Sequence, residues 1–520
     1  MSESVIFRSP WPELSWPDCS IPEAILGEAR SRGSKAAVIE SESGRVMTYE
    51  VLGDTVDRLA ASLARQGFGP GQVLAIALPN SIDFILAYYG ALRAGGIVTT
   101  MNPLYTPREM THQLHDSGAR FLVTLPEPAV AAGSEVERVF VPGGNFEELL
   151  TSTEPPPSLQ IDPKEVALLP YSSGTTGYPK GVMLTHSNAV ANVWQIYSIG
   201  EFSSDDVAVN YVPFYHVGAM NCILNPMLGV GATIVTMKRF DLETWLALNE
   251  RYRATYLLTP PPVVLAVSKY PHWERYQLGN LSKAMSGAAP LGAEVQRAFD
   301  ERTGLMMRQL WGMTETSAPI TMTPNDPARR KLGGSGQLLP SIEARVIDIS
   351  SGRDLGPNER GELWVRGPNV MKGYWKNPNA TAACLHQDGW LRTGDIGYFD
   401  NEGCVFLVDR LKEFIKYNAL QVAPAELEEI LQVHPAVLEA AVIGIPDEEA
   451  GEIPKAFVVL REGAYIDAVA LMAFVAERVA PYKKVRALEF VTEIPKSPTG
   501  KILRRLLIER ERARAAAAEL

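Results

Sequence analysis

The sequence predicts an α/β protein. It has a large N-terminal domain of stacked, mostly parallel sheets with helices, extended by a short-strand β subdomain, and a small C-terminal α+β domain. Three observations lead there. The chain has 520 residues, 46% apolar and 21% charged, as expected for a globular protein of several domains. Buried-strand and helix patterns alternate through most of it, the rhythm of βαβ units. The pattern then changes twice, at Gly352 and at Asp409.

The elements follow in order. "VLAIALP" is an apolar run of strand length. "SIDFILAYYGALRAG" has helical spacing and ends in glycine. "GIVTTMNP" is a strand, "PREMTHQLHDSG" a helix, and "ARFLVTL" a strand. The proline-rich "STEPPPSLQIDP" reads as a linker or surface loop. The rhythm resumes with "GATIVTM", "TWLALNERYRA" and "TYLLTP". From Gly352 to Val408 short strands alternate with glycine turns, as in "GELWVRGPNVMKGYW" and "DNEGCVFLV". After Asp409 come the helix "PAELEEILQVHP", the strands "EAAVIGIP" and "KAFVVLRE", and the helix "AVALMAFVAERV". We place a boundary at Asp409-Arg410, dividing the chain into 1–408 and 409–520. The tail "KILRRLLIERERARAAAAEL" mixes signs and reads as a solvated helix.

Composition excludes several classes. A formal net charge of −11 gives no support to nucleic-acid binding. The four cysteines form no CxxC pair and there are only seven histidines, so neither a zinc site nor a disulfide framework is indicated. "MSESVIFRSPWPELSWPD" has no apolar core of signal-peptide length, and "FILAYYGALRAGGIV" is broken by Arg93 and glycines. The expectation is a soluble cytoplasmic protein with no membrane span.

The most informative stretch is "LPYSSGTTGYPKGVMLTH", Leu169 to His186. Its loop "SSGTTGYPKG" concentrates glycines, hydroxyls and one lysine, the groups that cradle a polyphosphate. It is not a Walker loop, because Pro179 precedes Lys180 and a strand follows. The whole string resembles the AMP-binding signature of the adenylate-forming superfamily, which includes acyl-CoA synthetases, peptide-synthetase adenylation domains and luciferases. "MNPLYTPREM", "YVPFYHVGAM", "SGAAPLGAEV", "GMTET", "RTGDIGYFD", "VDRLKEFIKY" and "PKSPTGKILRR" are similar to the 4-coumarate–CoA ligase branch. The resemblance covers essentially the whole chain. It implies a small domain that rotates about a hinge, ATP and Mg²⁺ as cofactors, and a carboxylic acid substrate.

It also implies roles. In the first half-reaction a carboxylate attacks the α-phosphorus of ATP, so two anions must be brought together and neutralised. Ser172, Ser173, Gly174, Thr175, Thr176, Gly177 and Lys180 would hold the β- and γ-phosphates. Thr314 would contact the α-phosphate and Glu315 would bind Mg²⁺. Asp395 would take the ribose hydroxyls, with Arg410 nearby. Trp311 stands where the family has an adenine-stacking tyrosine; taken alone it would read as a core aromatic. Gly287, Ala288, Ala289 and Gly312 would join it in holding the nucleotide, and "YHVGAMN" with His216, "SGAAP" and "QLWGM" would line the acyl pocket. Leu310 replaces a usual glycine. Lys501 is the adenylating lysine of the mobile domain; without its motif it would read as a solvated C-terminal cation.

One hairpin departs from the pattern. Relatives read Lys-Tyr-Lys-Gly-aromatic-Gln-Val where this chain has "KYNALQV". Lys416 and Tyr417 remain, while Asn418, Ala419 and Leu420 replace the lysine, glycine and aromatic. In relatives this hairpin faces the site in the second half-reaction and lines the pantetheine channel. Its loss points first to an amine or amino-acid acceptor and an amide product, as in amide ligases of the coronafacate ligase type. Retained Lys416 and the commonness of CoA ligases point to the alternative, a CoA thioester. A non-catalytic AMP-binding protein and a luciferase-like oxygenase stand further off.

Overall fold

A computed structural model describes residues 5–132, 135–172, 179–411, 413–417, 420–447, 450–479, 481–497 and 500–518. Among these, the strands form four sheets. One eight-stranded sheet centres on the parallel strands Val73–Ala77, Ile97–Thr100 and Ala119–Thr124, with the antiparallel strand Lys180–Thr185 toward one edge. A nine-stranded sheet runs in parallel through Thr233–Thr236, Val207–Asn210, Tyr256–Thr259, Lys283–Ser286 and Met307–Met313, then turns antiparallel at Ala318–Met322.

Helices cover and separate these two sheets. The helix Ile82–Arg93 is opened by Ser81, whose hydroxyl accepts from Phe84 N. Every residue from Phe84 to Leu92 is buried, so the helix is apolar on all sides and lies inside the molecule. The helix Pro107–Ser117 starts with a capping box, Thr106 and Glu109, and Pro107 at its first position. One apolar cluster joins the helix Ile82–Arg93 to both sheets, while Met110 and Leu114 of the helix Pro107–Ser117 pack in another with Val73, Ile97 and Leu122 of the eight-stranded sheet. The buried ion pair Arg308–Glu201, each side chain 1% exposed, ties the strand Met307–Met313 to the loop after the helix His186–Ser198.

The short-strand region forms a six-stranded antiparallel sheet that reaches beyond the stretch read from the sequence. It begins at Glu343–Ile347 and takes in Phe7–Arg8 from the other end of the chain. It also contains a helix, Pro378–Cys384, started by the Asn377 side chain on Ala380 N, where only strands were expected. Its last strand, Val405–Arg410, includes the expected boundary residues.

The remaining five-stranded sheet is built on the long hairpin Val437–Asp447 with Gly451–Leu460. The helices Pro424–Val433 and Ala468–Ala476 pack against it through Leu427, Leu431, Leu471 and Val475. The C-terminal helix Arg504–Ala518 is less solvated than its composition suggested. Leu507 is 2% exposed, and Arg510 and Arg514 pair with Glu489. No helix among the described residues is long and apolar enough to cross a membrane.

Candidate active site

The site begins with a tight return between two strands. The strand Met307–Met313 shifts register at Trp311/Gly312 as it pairs with Ala318–Met322. A Cβ on Gly312 would lie 1.8 Å from the Ala318 carbonyl oxygen, so only glycine fits this approach. The short 3₁₀ turn Thr314–Thr316 then places Glu315, 6% exposed, against the strand pair Tyr171–Ser172 and Lys180–Thr185. The Ser172 hydroxyl and the Tyr374 hydroxyl both donate to Glu315 Oε1, each at 2.9 Å. Lys180 Nζ lies 5.1 Å from the Tyr374 ring centroid. Burial, with Glu315 second, pushes the Tyr374 hydroxyl far above its usual range, so it remains a donor. The Glu315 carboxylate with the Ser172 and Tyr374 hydroxyls is a hard-oxygen set that fits Mg²⁺; the Cys384 thiol lies beside the Tyr374 hydroxyl, and burial pushes it up, so it stays a neutral thiol.

A second cluster gathers on the short-strand sheet. Asp395 and Arg410 face each other across the ladder, and Arg410 Nε lies 3.1 Å from Asp395 Oδ1. Trp311 Nε1 donates to Asp395 Oδ2 at 2.8 Å. Trp311 is 4% exposed and packed in the core, as a core aromatic would be, and its indole edge meets Asp395. Each Asp395 oxygen keeps a further lone pair for another donor.

Lys501 comes to this cluster from the C-terminal segment. Its loop is closed by Ser497 N on Lys501 O, 2.7 Å, and by Lys501 N on the Ser497 hydroxyl, 3.1 Å. The loop abuts the start of the helix Pro261–Lys269: a Cβ on Gly500 would lie 3.3 Å from Pro262 Cγ. Burial first, and the Arg410 charge second, push the Lys501 ammonium down to about 8, with Glu413 and Asp395 opposing. A desolvated lysine and an arginine beside Asp395 form a cationic cluster suited to a nucleotide anion.

On the acyl side, His216 precedes the short helix Val217–Ala219. Its ring lies 4.7 Å from that of Tyr215, and burial pushes it down to about 4, so it is neutral near pH 7. Its Nε2 is buried and has no hydrogen-bond partner among the described residues. Gly287, Ala288 and Ala289 follow the strand Lys283–Ser286, with Ala288 at φ 72°. Leu310 lies over Gly287, where a Cβ would come within 2.5 Å of Leu310 Cδ1. The residue that departs from the family pattern therefore fills the space above the neighbouring glycine.

Ser173, Gly174, Thr175, Thr176 and Gly177, together with Asn418 and Ala419, lie outside the described residues. Lys416 is described through its backbone, in the strand Ile415–Tyr417 opposite Gln421. Sequence reasoning assigned no role to Tyr374, Glu413 or the Trp311–Asp395 bond. Tyr374 stands in a quoted motif, but nothing in that motif says it meets Glu315.

The AMP-binding enzyme family matches residues 27–375, and the AMP-binding enzyme C-terminal domain matches residues 426–501. The chain is 38% identical to 4-coumarate–CoA ligase 3 of Oryza sativa subsp. japonica, over 99% of this chain and 96% of that protein. Its structure is similar to the anthranilate CoA ligase AuaEII in complex with anthranoyl-AMP. There the TM-score is 0.88 at 26% identity, covering 96% of this chain and 99% of that one. It is also similar to ATP-bound MatB from Rhodopseudomonas palustris, with TM-score 0.85 at 29% identity, covering 94% and 98%.

Proposed function

We propose a function from one premise: this chain belongs to the AMP-binding enzyme family, in its 4-coumarate–CoA ligase branch, and is an adenylate-forming acid ligase. The finer reading is that it passes the acyl group to CoA and makes a thioester. Curated relatives named as CoA ligases, similar over nearly the full chain, support CoA over the amine acceptor suggested by the hairpin.

In the first step a carboxylate oxygen of the acid bonds to the α-phosphorus of ATP and the bond to pyrophosphate breaks. Ser172, Lys180 and the loop between them hold the β- and γ-phosphates. Glu315, kept in place by Ser172 and Tyr374, holds the metal; a bound Mg²⁺ offsets phosphate charge. Thr314 faces the α-phosphate. Asp395 receives the ribose, with Arg410 and Trp311 fixing its carboxylate. Lys501 bridges carboxylate and phosphate as charge develops between them. The observation that carries this step is the Lys501 loop seated against Pro262, with its ammonium under the influence of Asp395 and Arg410. His216 borders the acyl group as a neutral imidazole.

In the second step the CoA thiol gives up its proton to solvent, its sulfur bonds to the acyl carbon, and the bond from that carbon to the AMP oxygen breaks. We assign this step to a rotated arrangement of residues 409–520 against 1–408, with Asp409-Arg410 as hinge and Lys416 replacing Lys501 at the site. The test is AMP release across a panel of carboxylic acids, with CoA or amino acids as acceptors. Release driven by one acid together with CoA is expected. Amide formation without CoA, and no thioester, would reinstate the amine acceptor.

A further inference from the structure

The turn that carries Glu315 is strained. After Thr314–Thr316 the chain passes through two non-glycine residues at positive φ, Ser317 at 58° and Ala318 at 114°. Backbone of this kind persists only where its surroundings hold it. Here each carbonyl from Glu315 to Pro319 has a donor. Met371 N donates to Glu315 O at 2.8 Å. Asn369 Nδ2 donates to Thr316 O at 2.9 Å, and Asn221 Nδ2 to Ser317 O at 2.7 Å. The Thr316 hydroxyl donates to Ala318 O at 2.9 Å, and Asn192 Nδ2 to Pro319 O at 2.9 Å. The Ser317 hydroxyl returns a bond to Asn369 O at 2.9 Å. Asn192, Asn221 and Asn369 come from three separate parts of the chain and are 0%, 0% and 1% exposed.

The orientation of Asn221 is itself determined from behind. The Tyr89 hydroxyl donates to Asn225 Oδ1 at 2.7 Å, and Asn225 Nδ2 donates to Asn221 Oδ1 at 2.8 Å. Burial pushes the Tyr89 hydroxyl well up, so it keeps its proton. With its oxygen taken, the Asn221 amide must turn its NH₂ toward Ser317. Asn221 sits in a π-helical turn, Met220–Leu224, a local departure that re-aims side chains relative to an α-helix. A helix interior rarely buries two asparagines without such a purpose.

We propose that Asn192, Asn221 and Asn369 are positioning residues for the metal–nucleotide step, holding this strained turn so that the Glu315 carboxylate stays aligned on the Ser172 and Tyr374 hydroxyls. The inference rests on the reading of Glu315 as the Mg²⁺ ligand. The network touches no substrate; it acts through the backbone of residues 315–319.

The test is calorimetric titration with a non-hydrolysable ATP analogue, with and without Mg²⁺. Asn221→Ala and the isosteric, acceptor-only Asn221→Asp should each lose roughly tenfold in the Mg²⁺-dependent part of the affinity, the scale of an unsatisfied buried carbonyl. Metal-free affinity should stay close to wild type. In a Glu315→Gln background the Asn221 changes should cost nothing further, because both act on one contact. If Asn221→Ala does not fold, Asn192→Ala is the milder variant, since Pro319 O also receives Asn369 Nδ2 at 3.4 Å. Folded Asn221 or Asn192 variants with wild-type Mg²⁺ dependence would overturn the proposal, and so would losses that add fully to that of Glu315→Gln. If Glu315→Gln alone leaves Mg²⁺-nucleotide affinity unchanged, the metal assignment fails and the proposal falls with it.

Discussion

At Lys501 the decisive quantity is charge. Its ammonium, pushed down to about 8 by burial and Arg410, must be protonated to bridge two anions. The kcat/KM for ATP reports the free enzyme, so it should fall as pH rises through about 8. Lys501→Ala should slow acid-dependent pyrophosphate release by roughly 10²-fold. Any residual activity of Lys501→Arg should lack that alkaline limb; a pH profile unchanged in Lys501→Arg would show that another group titrates. Asp395 takes a different role. Removing its carboxylate deletes the ribose acceptor and strands Arg410 and Trp311 Nε1, so Asp395→Ala should weaken ATP binding by ~1.5–3 kcal/mol. Calorimetry showing unchanged affinity would reject that placement. Lys501, Glu315 and Asp395 were singled out because each lies in a motif whose neighbours override the bland reading. Tyr374 was not, because its contact with Glu315 arises only when the strand Gly373–Tyr374 pairs with Lys180–Thr185. Leu310 was noticed as a departure, but only the fold shows that it lies over Gly287.

Among the elements, the strand Val405–Arg410 does more than connect. Ala423, at the start of the helix Pro424–Val433, offers no side-chain cap. Asp409 supplies one from outside: its Oδ2 accepts from Ala425 N at 3.0 Å and its Oδ1 from Arg410 N at 2.7 Å. Asp409→Ala should cost about 1 kcal/mol of stability, as loss of a cap does, read by thermal unfolding. Burial pushes this carboxyl up to about 6, against the pull of Arg504. A carboxyl raised on folding contributes stability that is present below its unfolded pKa and lost as pH rises through the folded one. The melting temperature of Asp409→Asn minus that of wild type should therefore grow between about pH 4 and pH 7. A constant difference would contradict this ionisation. Most helices and strands were legible from periodicity and glycine stops, as with the helix Ile82–Arg93; the caps at Ser81 and Thr106–Glu109 emerge from the structure. The helix Pro378–Cys384 was hidden within a glycine-rich stretch, its start signalled only by Asn377-Pro378. The Phe7–Arg8 strand was invisible, because two residues carry no periodicity.

For the whole molecule, the alternation of strands and helices was enough to predict stacked sheets and a smaller C-terminal unit. It could not say which acceptor the enzyme uses, because that depends on how residues 409–520 sit in the second step. The triple change Asn418→Lys, Ala419→Gly, Leu420→Phe separates the steps. It should leave acid-dependent pyrophosphate release within about twofold of wild type, since these residues are assigned to the second arrangement only. A large loss of adenylation would place the hairpin in the first. The central claim is that one oxygen of the acid passes to AMP and the acyl group passes to CoA. It is tested most directly by mass spectrometry after incubating the protein with ATP, Mg²⁺, CoA and a carboxylic acid labelled with ¹⁸O in its carboxylate. The account predicts AMP carrying a single ¹⁸O together with the acyl-CoA thioester. Unlabelled AMP, or labelled AMP accompanied by an amide and no thioester when amino acids are present, would contradict it.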